Sequence, residues 1–141
     1  MGLDAVVYRN KSNLQLGADE QFAQLIPGTG EIYFDDNAAS RRHSQELEAV
    51  RVRLGNIAMI SALREEIART VGADSILHQK IVYSGSHSGD FIPIDELARL
   101  AEEMSLVRKS GNLSSDLRDL LDRVEELTQA ALHERNPIVF V

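Results

Sequence analysis

The run Ser84-Gly85-Ser86-His87-Ser88-Gly89-Asp90 brings an imidazole, several hydroxyls and a carboxylate closer together than any other part of the chain. Three chemistries are open to it. In the first, His87 is a general base, Ser84 or a neighbouring serine is the nucleophile, and Asp90 or Asp4 orients the imidazole. The residue types fit a small hydrolase. The nucleophile elbow Gly-x-Ser-x-Gly is absent, because Gly85-Ser86-His87-Ser88-Gly89 holds its serines at other positions. In the second, loop amides near a helix N-terminus bind an anion, with Tyr83, Gly85, Ser86 and Asn56 as ligand contacts. Asp90, Asp95 and Glu96 oppose this by placing negative charge there. In the third, the preferred one, the glycines give the backbone freedom, the serines and Asp90 satisfy loop amides, and the segment is structural or touches a partner.

Metal chemistry finds less support. No His-x-x-x-His or Glu-x-x-His pair occurs on a predicted helix. Asp35-Asp36-Asn37 with Glu46 imitates a calcium loop, but Ala39 and Ser40 stand where a ligand and a glycine are required. Pro27-Gly28-Thr29-Gly30 lacks the Gly-Lys-Ser/Thr ending of a phosphate loop and reads as a turn. No metal and no cofactor are expected.

The elements that must position the 84–90 loop follow from periodicity. The β-branched pair Ile81-Val82 and Tyr83 predict a strand over 80–84. After the loop, Pro93 opens a helix carried by Ile94, Leu97, Leu100, Ala101, Met104 and Val107. Ser114 or Ser115 caps a second helix reaching about His133, and the two form a hairpin. The longest helix is predicted over 45–71, ended by Gly72, with Gly55 and Asn56 near its middle. A mid-helix glycine costs about 1 kcal/mol relative to alanine, which close packing or a kink would offset. Strands are predicted over 3–8, 32–34 and 138–141. Adjacent valines in the first place it inside a sheet, with Asp4 at its wet end. Residues 9–18 read as loop, 19–25 as a short helix capped by Asp19, and 38–44 as a mobile polar stretch. The expectation is a single α+β domain over 1–141. It has a small mixed sheet of about four strands, packed by one long helix and a C-terminal helical hairpin, with the terminal strands side by side.

Composition narrows the function classes. A hydrophobic fraction of 43% supports a real core and argues against disorder. A net charge of −7 repels a polyanion, so nucleic acid is not an expected partner, whereas a protein with a basic surface is. The chain has no cysteine, which excludes disulfides and thiolate metal sites and suits a reducing cytoplasm. No apolar run approaches a membrane span, and no signal peptide is recognised. The Met1-Gly2 start fails the myristoylation motif because position 6 is Val.

The opening Met1-Gly2-Leu3-Asp4-Ala5-Val6-Val7-Tyr8, the tetrad Leu54-Gly55-Asn56-Ile57 and the segment from Tyr83 to Asp90 resemble motifs of small bacterial and phage proteins of no established activity. Those proteins begin Met-Gly-Leu-Asp and carry Tyr-Ser-Gly-x-His-x-Gly-Asp. The resemblance implies a bacterial cytosolic setting and a meeting of Asp4, Asn56 and the 84–90 loop in space. It brings no catalytic role with it. The expected function is a small acidic interaction module, immunity-type or regulatory; the alternative is a hydrolase or ligand-binding enzyme using the 84–90 loop. A homodimer through the C-terminal strand or the long helix is compatible with both.

Overall fold

The structure is a computed structural model that describes residues 2–141; Met1, the first residue of the opening motif, lies outside them. Its centre is a four-stranded sheet in the order β4-β1-β6-β5, comprising β1 (Gly2–Tyr8), β4 (Glu48–Asn56), β5 (Phe91–Ile92) and β6 (Ile138–Phe140). The α+β class holds. All three pairings are antiparallel, so the sheet is not mixed. The first and last strands do lie side by side, with Ala5 opposite Phe140 and Val6 opposite Val139. β1 is internal, as its paired valines predict.

Alternation along the strands makes two faces. Leu3, Ala5 and Val7 join Leu54, Ile92, Ile138 and Phe140 in the main core. That core is closed by α2 (Ile57–Val71), α3 (Leu97–Lys109) and α4 (Ser115–Glu134). Val6, Tyr8 and Val139 form a smaller apolar cluster on the other face. Burial, with Glu31 and Glu48 nearby, pushes the Tyr8 hydroxyl up to about 12. Among the described residues no helix is long and apolar enough to cross a membrane.

The helix expected over 45–71 is two elements. Residues Glu48–Asn56 form β4, in which Val50, Val52 and Leu54 alternate with exposed Arg51 and Arg53. The register against β1 shifts between Leu3 and Asp4, which leaves Leu54 as an extra residue turned into the core. Arg123 covers the free edge by donating to the carbonyls of Arg53 (3.0 Å) and Leu54 (3.3 Å). The strand then enters α2 without a loop, because the Asn56 side chain accepts the Met59 amide at 2.8 Å and caps the helix. Gly55 is therefore a strand residue.

The strand expected over 80–84 is also absent. Residues Leu77–Ile81 make a π-helical turn. Its start is fixed by the buried carboxylate of Glu103 on α3, which accepts the amides of Ile76 and Leu77, each at 3.0 Å. The helical hairpin of α3 and α4 forms as expected, except that Ile94–Glu96 is a 3₁₀ turn and Ile94 and Ala101 are exposed. Ser114 caps α4, and Arg108 bridges the pair to Asp122 (3.0 Å) and Glu125 (2.9 Å).

Residues 9–47 form an insertion between β1 and β4. It holds 3₁₀ turns Lys11–Asn13 and Gly17–Phe22, a hairpin of β2 (Ala23–Leu25) and β3 (Ile32–Phe34), and helix α1 (Asn37–His43). Only part of the short helix expected over 19–25 forms, as the 3₁₀ turn. The stretch expected to be mobile over 38–44 is mostly α1, capped by Asp36 through the amides of Ala38 (2.8 Å) and Ala39 (2.9 Å). The insertion has its own core of Leu16, Ile32, Phe34 and Ala39. A polar clamp locks it. His43 stacks on Phe34 with centroids 5.3 Å apart and directs Nε2 at Asp19 (2.8 Å) and Nδ1 at Glu46 (3.3 Å). Both ring nitrogens face carboxylates, an arrangement that suits the imidazolium.

Asp19, with help from Glu46, raises the pKa of His43 above the usual histidine value. The Asp19 carboxyl is drawn down to about 2 by hydrogen bonds from Arg42 and His43. The raised His43 contributes stability fully below the ordinary value of 6.5 and loses it as pH rises through its folded value. The depressed Asp19 contributes above 3.8 and loses it as pH falls toward about 2. The melting temperature is therefore expected to peak between these limits and to fall on either side. Thermal melts of His43→Gln should show a flatter alkaline limb than the parent; an unchanged limb would show that the clamp does not set it.

Candidate functional site

The 84–90 loop spans from the π-helical turn to β5 and is anchored at both ends. At its start the Arg64 guanidinium on α2 donates to the Tyr83 carbonyl at 2.9 Å. At its end the Gly89 amide donates to the Phe140 carbonyl (2.8 Å) and the Phe140 amide donates to the Asp90 carbonyl (2.9 Å), extending the β5–β6 ladder. Gly89 makes this turn with φ at +96°, where a side chain would be strained. Gly85 packs on the first turn of α2: a Cβ there would stand 2.8 Å from Ile57 Cα.

His87 is the inner residue of this loop. Its side chain is 3% exposed. The ring is held between Tyr83 (centroids 4.5 Å apart, 30° between planes) and Phe140 (4.3 Å, 60°). Nε2 lies 2.9 Å from the Ile81 carbonyl, so it carries the proton and donates. Nδ1 is buried without a hydrogen-bond partner, and the atom facing it is Asp90 Oδ2 at 3.5 Å. That carboxylate also accepts the Tyr83 hydroxyl, whose pKa rises to about 12 through burial and then through Asp90.

The other residues singled out from the sequence divide clearly. Ser84 Oγ donates to the Ser86 carbonyl (3.1 Å) and accepts the Ser86 amide (3.3 Å), which turns it into its own loop. Ser86 and Ser88 are exposed, and neither imidazole nitrogen bonds a serine. Asp4 shares a sheet face with Val6, opposite to the face that Ala5 and Phe140 share. Its carboxylate pairs with Arg53 at 3.1 Å, so it does not orient His87. Asn56 is spent as the α2 cap. It sits next to Ile57, on which Gly85 packs, so the loop and the Asn56 junction do adjoin while Asp4 stands apart.

Beside the loop opens a cleft of about 310 Å³, lined by Gln79, Lys80, Tyr83, Gly89, Asp90 and Phe91. Lys80 is committed to Glu96 at 2.5 Å. Sequence reasoning missed Gln79, Lys80 and Phe91. Phe91 is part of an apolar dipeptide after the loop, a strand signal too short to stand out; the other two are placed by the unforeseen π-helical turn. The His43–Asp19 pair was missed as well, because its partners lie 24 residues apart. Among the described residues no group of three or more histidine or acidic side chains could hold a metal ion.

No protein-family model, curated protein or solved structure matches the chain.

Two substitutions separate capping from loop support. Asn56→Ala should cost about 0.5–2 kcal/mol in urea unfolding, the usual loss of a cap, while the His87 ring resonances stay in place. Gly85→Ala should shift those resonances, since the new methyl meets backbone. Movement of the His87 ring in the Asn56 variant would show that Asn56 supports the loop directly.

Proposed function

We propose that the protein is a non-enzymatic interaction module that engages a partner protein with a basic surface. The observation that carries this is how the loop's reactive groups are spent. His87 is buried with its donor on a backbone carbonyl, Ser84 is folded into its own turn, and no nucleophile adjoins the imidazole. What the loop region offers to solvent is aromatic surface, Tyr83 and Phe91, beside a half-exposed carboxylate in a chain of net charge −7. Exposed aromatic side chains with a charged neighbour are the composition of contact surfaces, and an acidic field speeds encounter with a basic partner.

The alternative, a small hydrolase, has the His87–Asp90 approach beside a cleft in its favour. It needs a water or substrate hydroxyl to reach Nδ1, an atom with no solvent access.

The two are separated by one pair of measurements. Affinity capture from extracts of the source organism, repeated over a salt series, should retain a specific basic protein whose recombinant form binds the purified chain reversibly. A panel of activated esters should show no turnover above buffer. Ester turnover abolished by His87→Ala in a folded variant would overturn the module and support the hydrolase.

A further inference from the structure

We propose that the cleft beside the 84–90 loop receives an arginine side chain of the partner; this rests on the interaction-module reading and names its recognition chemistry. The cleft has one cation and one free anion. Lys80 is neutralised by Glu96 at 2.5 Å, so the Asp90 carboxylate, 54% exposed, sets the sign of the site. Its Oδ2 accepts the Tyr83 hydroxyl, while its Oδ1 makes no hydrogen bond among the described residues and is open to an incoming donor.

The neighbouring histidine adds no hydrogen bond to that carboxylate: His87 Nδ1, on a side chain 97% buried, lies 3.5 Å from Asp90 Oδ2 and has no hydrogen-bond partner. A cation entering the cleft is attracted to the Asp90 carboxylate, whereas an anion is repelled. The site therefore selects a cation.

The walls select which cation. Tyr83 and Phe91 both line the cleft and are 38% and 41% exposed. A guanidinium is planar and weakly hydrated, stacks on aromatic faces and donates in its own plane to a carboxylate. An ammonium asks for several acceptors at one point, and the cleft presents a single free carboxylate oxygen. β5 ends the sheet and its Phe91 lines the cleft, which suits an arginine carried on an extended segment.

The test is a titration of the full chain, followed by amide chemical shifts, with the peptide Ac-Ala-Arg-Ala-NH2. The expected result is saturable shifts at Tyr83, Gly89, Asp90 and Phe91. Affinity should fall at least about tenfold when arginine is replaced by neutral citrulline, and likewise in Asp90→Asn and in Phe91→Ser. Both variants alter exposed side chains, so either one alone still decides the matter if the other fails to fold. Shifts scattered over the acidic surface, an unchanged affinity in both variants, or equal binding of the citrulline peptide would overturn the arginine site. Capture of a basic partner equally well by parent and Asp90→Asn would also overturn it, while leaving the interaction-module reading in place.

Discussion

The insertion of β6 between β1 and β5 is the constraint on which the rest depends. Ile138 and Phe140 fill the main core, Val139 fills the small cluster on the other face, and the backbone satisfies both neighbours. An entirely apolar strand can occupy only such a place, with both faces covered and both edges paired. The same strand builds the candidate site. Phe140 forms one wall of the His87 cage, and its amide and carbonyl tie down Asp90 and Gly89. Core and site thus share a strand of three residues.

The site shows how burial alters the meaning of reactive residue types. A histidine, serines and an aspartate in one short loop invite a catalytic reading. Here the imidazole is stacked between two aromatic rings and its proton is given to a backbone carbonyl. Its other ring nitrogen is directed at a carboxylate already holding a tyrosine hydroxyl. Burial and hydrogen bonding occupy His87 and Ser84, and leave Tyr83, Asp90 and Phe91 at the surface.

Much of this architecture was legible in the sequence, and the failures have physical causes. β1 and β6 were legible from short apolar runs rich in β-branched residues, and α3 and α4 from apolar residues at helical spacing, with Ser114 as a local cap for α4. Over 47–54 the pattern serves two masters: Leu47, Val50 and Leu54 fit a helix, while Val50, Val52 and Leu54 fit a strand. Pairing with β1, remote in sequence, decides for the strand, and the cap at Asn56 hides the junction because no glycine–proline break marks it. The π-helical turn could not be foreseen because the carboxylate that fixes it, Glu103, comes from another element. Of the site, the loop, His87, Asp90 and Tyr83 were legible. The parity that sends the Asp4 carboxylate to the far face was not, since it depends on which side of β1 the helices cover.

The insertion over 9–47 has its own apolar centre, and polar side chains tie its base to the C-terminal end of α4. Asn10 reaches the Glu134 carbonyl at 3.1 Å and Asn13 reaches the Glu134 carboxylate at 2.9 Å. A unit with its own apolar centre can open without unfolding the main core. Its amides then exchange with solvent through a separate, lower-energy opening from those of β1 and β6. In evolutionary terms it is the part of the chain freest to vary in length without disturbing the sheet.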